Sequence, residues 1–582
     1  MNLFDRMLDQ VRGALARLAA RGVLPRDIDT ARVTVEPPRD PAHGEMATNA
    51  ALVLARQARR KPMDIAAELA AELVELPEVS EARVAPPGFV NLRLQDQVWR
   101  EQVRIVLELG EDYGRADLGG GRKVNCEYCS ANPTGPLHVG HGRGTVYGDA
   151  LANLLTFMGY DVTREYYVND GGGQIETLAR SIHHRYRELL GDDPGPLPEG
   201  WYPYPELIPV ARAIVERDGE RWLGRPESEW LEHFGRAGVE AMMARIRADL
   251  EALGVRFDVY ASERALIEAG RIEEAVAALE RRGLVYTGTL PPPRGRPVED
   301  WEPVPQLLFR ATAFGDDTDR PLKRSNGAWT YFAADLAYHW DKYRRGAEIM
   351  IDVWGADHAG YVKRMEAAVA ALTEGRARFI AKLCQLVQLY EGGRPLRMSK
   401  RAGTIVWLRD IVERVGRDVF RFMMLTRKND APLDFDLEKA VEQSRDNPVF
   451  YVQYAHARIC SVLRKAEEAG LEVRPEALRT APLEELTDAA ELALIRSMAQ
   501  WPRVVAGAAR SFEPHRIAFY LHDLASALHA LWTRGKEEEE LRFLLPERPE
   551  TTRARLAMLS AVRTVIARGL AIMGVEPVAE LH

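Results

Sequence analysis

Cysteine is scarce in this chain, with four residues in 582. That scarcity excludes a disulfide-stapled secreted scaffold and fits a reducing compartment. Long apolar runs are missing too. No stretch of about 18 apolar residues exists to span a membrane. The N-terminus, MNLFDRMLDQ, meets acidic residues at once and does not read as a signal peptide. The expectation is a cytoplasmic protein with no membrane partner. Positive charge is not in excess either: 78 Lys and Arg stand against 86 Asp and Glu, a formal net charge of −8, with a pI near 6.0. Indiscriminate nucleic-acid binding is thereby disfavoured, while a structured RNA held by local basic patches stays open. What is present is ordinary for a globular protein, 46% hydrophobic and 28% charged residues. The length suggests roughly three or four domains, each able to bury its own core.

The chain is organised around residues 125–159, NCEYCSANPTGPLHVGHGRGTVYGDALANLLTFMG. Val124, Cys126 and Tyr128 alternate with polar neighbours, as in a strand, and Pro133, Gly135 and Pro136 then make a turn. Leu151, Leu154, Leu155 and Met158 recur at helical spacing, and Gly159 stands where a helix ends. A second strand-like run, 162–168, follows, giving the β–α–β opening of a nucleotide-binding α/β domain. The turn carries His138-Val139-Gly140-His141 at the start of the helix, where free N–H groups and the positive dipole end favour an anion. Gly140 leaves room for a flat base to approach the backbone. Two histidine donors aimed at a phosphate can stabilise a transition state without a covalent step. The same spacing also serves as a simple helix cap, or, with Cys126 and Cys129 upstream, as a zinc knuckle. The strand reading opposes zinc, because cysteines three apart on a strand point to opposite faces.

Ahead of this unit, residues 1 to about 110 read as a small α+β domain. Leu3, Met7, Val11, Leu15 and Leu18 form a helical stripe closed by Gly22. A second helix is expected from about Met46, ending in the basic cluster Arg56, Arg59, Arg60 and Lys61, and Pro62 opens a third. The cluster reads as a solvated face or as an RNA contact. Residues 83–85, a Pro-Pro-Gly turn and residues 89–94 suggest a hairpin. After the second core strand, the glycine-rich 169–174, NDGGGQ, lies at a strand end, either a ligand loop or a flexible connection. Two Pro/Gly-rich stretches, 193–205 and 291–297, bracket a helical segment read as an insertion between the halves of the sheet. If residues 331–338 are helical, Tyr331 and Asp335 lie one turn apart on one face. A buried-strand run, 349–354, ends in Gly355-Ala356-Asp357-His358, and a further strand is expected at 385–390. The loop 394–404 holds four cations, Arg394, Arg397, Lys400 and Arg401, as a phosphate clamp or as a solvated loop. From about Asn447 the pattern is helical throughout. Tyr451 and Tyr454, three apart, are a stacking platform for bases or part of a core. The acidic run 537–540 reads as a solvated loop or helix end.

Together these stretches resemble a class I aminoacyl-tRNA synthetase, specifically the bacterial arginyl-tRNA synthetase family. ANPTGPLHVGH (131–141) is similar to the His-x-Gly-His signature with its approach, and RMSKR (397–401) to the Lys-Met-Ser-Lys-Ser loop. GEMATNAALVLA (44–55), APPGFVNLRL (85–94), NPVFYVQYAHARI (447–459) and AVRTVIARGL (561–570) extend the likeness through the whole chain in order. The resemblance implies a Rossmann-type parallel-sheet catalytic core (113–440, helical insertion near 190–300), an N-terminal α+β domain (1–112) touching the tRNA elbow, and a C-terminal all-α bundle (441–582) reading the anticodon. It also implies the reaction: ATP with Mg²⁺, L-arginine and tRNA(Arg) give arginyl-tRNA, AMP and pyrophosphate. No tightly bound metal is expected, and nothing demands more than a monomer.

Residue roles follow from the same likeness. His138, His141 and Lys400 are the expected catalytic group. Gly140, Asp357, His358, Met398 and Ser399 join them around ATP. Glu127, Ser130, Asn132, Tyr331 and Asp335 are expected to hold arginine, with Asn132 near the α-amino end and Tyr331 and Asp335 at the guanidinium. A guanidinium is a planar fork of donors that stays protonated, so its pocket needs a carboxylate. Arg59, Arg60, Tyr451 and Tyr454 are the candidate tRNA contacts. The chain departs from the pattern at Arg397 and Arg401, in the extra glycines of 171–173, and in its ending, EPVAELH. Rival readings are a nucleotidylyltransferase sharing the histidine turn, a non-catalytic tRNA-binding relative, and a synthetase for another amino acid.

Overall fold

The computed structural model describes residues 2–292, 302–396, 406–444 and 446–581. At its centre lie five parallel strands: β1 (Lys123–Glu127), β2 (Asp161–Val168), β3 (Val259–Ser262), β4 (Ile349–Gly355) and β5 (Arg378–Cys384), in the order β5-β4-β1-β2-β3. β1 and β4 are buried along nearly their whole length, as strands covered on both faces must be. The chain builds outward from β1 through β2 and β3, then returns to the other side of β1 for β4 and β5. The order therefore reverses between β1 and β4, and the crevice beyond their C-terminal ends is where such sheets hold ligands.

Two helices frame that crevice. Helix α1 (Val139–Phe157) follows β1, with Gly148 set against Tyr128: a Cβ at Gly148 would lie 2.2 Å from that ring. The missing side chain lets the helix rest directly on the chain leaving β1. It stops at Met158, followed by Gly159 at φ +82°. Helix α2 (Tyr331–Arg344) precedes β4; the Thr330 side chain caps its first turn by accepting from the Ala333 N–H, and Lys342 and Arg344 complement its C-terminal dipole.

The N-terminal region forms as its pattern predicts in most respects. Helix Leu3–Ala20 buries the stripe of Leu3, Met7, Val11, Leu15 and Leu18, and Pro62 occupies the first turn of Pro62–Leu73. Strands Val79–Ala85 and Phe89–Leu94 pair antiparallel. The second helix differs from expectation. Met46–Thr48 is a strand paired with Phe89–Leu94, and the helix is Ala50–Ala58. Met46 and Thr48 are buried on either side of a half-buried Ala47, a period of two that the apolar helix behind it obscured.

The segment read as a helical insertion is narrower than expected. Helices Leu207–Asp218 and Glu227–Ala252 pack with Gly173–Leu189 around their own small core, but the chain then rejoins the central sheet as β3. The strand expected at 385–390 is Val387–Glu391, in a separate three-stranded sheet with Arg394–Pro395 and Leu433–Asp436. Beyond Asn447, whose side chain caps Pro448–Glu468, every main element is helical. The run 537–540 is exposed at the end of His515–Glu537. A single apolar core runs from the N-terminal helix through β1 and α1 into this bundle. No helix among the described residues is long and apolar enough to cross a membrane.

Candidate active site

The histidine turn sits at the first turn of α1, with His138 as its N-cap. The two imidazoles stack, ring centroids 3.8 Å apart. His138 Nδ1 accepts the Gly140 N–H at 3.1 Å, and His141 Nδ1 accepts the His138 N–H at 3.2 Å. With both Nδ1 atoms acting as acceptors, the neutral rings carry their proton on Nε2. The expected free N–H groups are otherwise engaged: Val139 donates to Val406 O, Gly140 to the His138 ring and His141 to His138 O. The turn is pre-capped, so donors toward an anion come from the imidazoles and the helix dipole. Gly140 has a local reason as well, since a Cβ there would stand 2.9 Å from the His138 ring.

His138 and His141 line a cavity of about 90 Å³ with Asn132, Tyr204 and Trp407. Trp407 forms a β-bridge with His138, and Leu408 N–H donates to Leu137 O at 2.8 Å. The chain immediately after 397–405 is thus stitched to the histidine turn. Tyr204, from the first Pro/Gly-rich stretch, meets Trp407 edge-on.

A larger cavity, about 480 Å³, opens at the switch point between β1 and β4. Glu127, Ser130, Tyr331 and Asp335 all line it, four of the five residues expected around arginine. Tyr331 stands 64% exposed at the rim, one turn before Asp335 as the spacing required. Asn132 is not among the lining; it is exposed and faces the histidine cavity instead, because the chain turns away after Ser130. Cys129 and Ser130 are consecutive left-handed residues, at φ +68° and +39°, strain of the kind found at binding sites. They turn the Ser130 hydroxyl back to Glu127 Oε1 at 3.0 Å. Cys129 therefore lies beyond the strand, and the argument that the two cysteines point to opposite strand faces does not apply to it. Burial pushes the Cys126 thiol up to about 12 and that of Cys129 to about 11, so both stay protonated.

The cavity floor is charged. Lys342 Nζ donates to Glu127 Oε2 at 2.6 Å and to Asp352 Oδ1 at 2.9 Å, and His339 Nε2 lies 3.0 Å from Asp352 Oδ2. Burial raises the Glu127 pKa, an effect that Lys342 only partly offsets. Burial also opposes the charge of Asp352, but Lys342 and His339 outweigh it and hold that carboxyl below its usual value. Asp335 accepts from Tyr361 OH, and burial raises its pKa. Lys342, His339, Asp352 and Tyr361 were not anticipated. Asp335, His339 and Lys342 sit at i, i+4 and i+7 on α2, a stripe visible in the sequence; Tyr361, reached only by folding, gave no such signal.

His358 lines the same cavity from the turn after β4, while Asp357 beside it is largely exposed. Met398, Ser399 and Lys400, with Arg397 and Arg401, lie outside the described residues. In the bundle, Tyr454 and Tyr451 share a face, both rings packing against His529. Arg458 stacks on Tyr454 and Trp532, and these three line a basic surface cavity with Arg464 and Lys536. Arg59 is exposed at a helix end, and Arg60 donates to Val23 O.

Three family models match the chain in order. They are the arginyl tRNA synthetase N terminal domain over 5–94, the catalytic domain of tRNA synthetases class I (R) over 102–194, and the DALR anticodon binding domain over 452–581. The arginine–tRNA ligases of Ruegeria pomeroyi and Paracoccus denitrificans are each 56% identical over 582 residues, covering 100% of both chains. A Thermus thermophilus arginyl-tRNA synthetase structure matches with a TM-score of 0.74 over 100% of both chains at 23% identity, a likeness of fold.

Proposed function

The chain belongs to the arginyl-tRNA synthetase family, and from that premise we propose how its residues join L-arginine to tRNA(Arg). It is a class I ligase: ATP and arginine give arginyl-adenylate and pyrophosphate, and arginine then passes to the 3′ end of the tRNA, releasing AMP. The non-catalytic reading falls with full-length identity of 56% to arginine–tRNA ligases. ATP, carrying Mg²⁺, is a substrate here, and the stacked His138–His141 pair suits its phosphates. Their Nε2 protons would meet the charge that builds at the α-phosphorus, so catalysis is positioning and charge neutralisation. Lys400 would meet the leaving pyrophosphate, with Met398 and Ser399 beside it, and Asp357 and His358 would border the nucleotide.

One observation carries the arginine assignment: the cavity floor at the switch point is lined by the carboxylates Glu127, Asp335 and Asp352. Asp335 pairs with a phenol rather than a cation. A guanidinium supplies the cation that such a floor calls for. Tyr331 would close over it, and Glu127 and Ser130 would complete the pocket. Asn132, in the adjoining histidine cavity, suits the α-amino end, next to the carboxylate that attacks ATP. Residues 1–112 and 441–582 are read as the tRNA-elbow and anticodon domains around a 113–440 core. Arg59, Arg60, Tyr451 and Tyr454 are their contacts, in a cytoplasmic monomer.

ATP–pyrophosphate exchange with each standard amino acid, with and without total tRNA, tests this. Exchange with arginine alone, and only with tRNA, is expected. Exchange without tRNA keeps the substrate and discards the expectation, carried by the family resemblance, that tRNA must be bound before arginine is activated. Exchange with no amino acid overturns the reading.

A further inference from the structure

Three carboxylates stand side by side across the central sheet. Glu165 on β2 is the register partner of Glu127 on β1, which in turn is the partner of Asp352 on β4. In-register neighbours on parallel strands project to the same face, so this row is self-repelling. Its counter-charges come from α2 and the residue that follows it. Arg345 makes two 2.7 Å bonds to Glu165; Lys342 bridges Glu127 and Asp352; His339 takes the remaining Asp352 oxygen. A row of bases on one helix is laid against a row of acids on three strands.

We propose that Lys342 is a positioning residue of the arginine site: from beneath the floor it keeps Glu127 and Asp352 both ionised and turns Glu127 toward the cationic groups of the substrate. This rests on the reading that the cavity takes arginine. The Lys342 side chain is 0% exposed, and its ammonium lies 4.3 Å from the Tyr338 ring, which does line the cavity. Lys342 therefore acts through Glu127 rather than by touching arginine. It occupies Glu127 Oε2, while Oε1 accepts from the hydroxyl of Ser130, a residue that lines the cavity with Glu127. Without the lysine, two adjacent buried carboxylates lack a shared cation. One of them takes a proton, and Glu127 is the one that yields, because Asp352 keeps His339 at 3.0 Å while Glu127 keeps only the Ser130 hydroxyl. A neutral, untethered Glu127 no longer attracts a cation.

The test is arginine-dependent aminoacylation by the full-length chain, with Lys342→Met, Lys342→Arg, Glu127→Gln and the double variant Glu127→Gln/Lys342→Met. Lys342→Met is expected to raise the arginine KM about tenfold or more while kcat at saturating arginine stays within about threefold. L-citrulline, an uncharged isostere, should lose less affinity as an inhibitor, so discrimination between the two narrows. Lys342→Arg should recover part of the KM. The double variant should show the KM of Glu127→Gln alone, because the lysine acts through that carboxylate; it also covers the case in which Lys342→Met fails to fold. An unchanged KM, a KM effect that adds to that of Glu127→Gln, or a loss of kcat in step with lost folded protein overturns the inference. Failure of the reading that this cavity takes arginine looks different: Glu127→Gln itself would leave the arginine KM unchanged, and the inference would fall with it.

Discussion

Asp335 differs from the other acids of the cavity floor in its partner: Tyr361 donates to it, whereas Glu127 and Asp352 are tied to Lys342. Binding of a guanidinium would give it a charge-assisted contact of about 1.5–3 kcal/mol. Asp335→Asn is therefore expected to raise the arginine KM by about tenfold or more, with a smaller effect on kcat, measured by steady-state aminoacylation. The same residue sets a pH dependence. Burial raises its folded pKa, so the fold favours the protonated form, and ionising it costs stability as pH rises through that value. Arginine needs the ionised form, so its apparent affinity should climb with pH from mildly acidic conditions and level off above the raised pKa. In Asp335→Asn that component should vanish; a wild-type profile flat from acid to neutral pH would remove Asp335 from the pocket. Lys400→Ala should behave oppositely, slowing activation strongly with little change in arginine binding, since its contact forms mainly in the transition state. Equal losses in both would discard that role.

At the scale of elements, α1 depends on lying close to the chain that leaves β1. Gly148→Ala places a Cβ 2.2 Å from the Tyr128 ring, an overpacking that costs about 1–3 kcal/mol. Its Tm should fall by several degrees in a thermal melt, while Gly173→Ala, where a Cβ meets nothing within 4 Å, should leave Tm unchanged. Much of this level was legible in the sequence. The 3.6-residue stripe of Leu3–Leu18, the turn residues at 133–136 and the breaker at Gly159 each specify local structure through their own chemistry. Tyr331 and Asp335 were placed on one face by helical spacing alone, and the structure brings both to one cavity. What failed was decided elsewhere. Met46–Thr48 becomes a strand because Phe89–Leu94 lies beside it, a pairing between distant segments. β3 was hidden in a segment otherwise helical, since a four-residue strand carries too little periodicity to announce itself. The acid row needed the register of three strands before Lys342 had a meaning, although Asp335, His339 and Lys342 already stand at helical spacing in the sequence.

The whole molecule does not divide cleanly at the sequence boundaries. Helix α1, which carries the histidine turn, is held by the C-terminal bundle. Tyr147 OH donates to Phe512 O, Asn153 to Ile572 O at 3.2 Å, and the buried Arg421 spans Asp149 and Met573 O. On the sheet, Lys382 of β5 donates to Ser511 O at 2.9 Å. The linking helix Asp96–Leu109 is tied to the bundle in turn, through Arg100 to Leu486 O and Arg104 to Arg479 O and Ala481 O. A chain ending at residue 446 would expose the apolar face shared with the bundle, leave Lys382 and Tyr147 without these partners, and cost Arg421 its bond to Met573 O. Buried polar groups stripped of partners cost about 1–3 kcal/mol each, a large share of the stability of any domain. The truncated chain is therefore expected to lose arginine-dependent exchange even at saturating ATP and arginine, and to unfold at a lower temperature or aggregate. Circular dichroism and sedimentation on the same preparation separate loss of fold from loss of tRNA contact. A truncated chain that stays monomeric, melts like the parent and keeps full exchange would mean that the core is autonomous. The bundle contacts to α1 would then be incidental to the chemistry, and the signature helix would owe its position to the sheet alone.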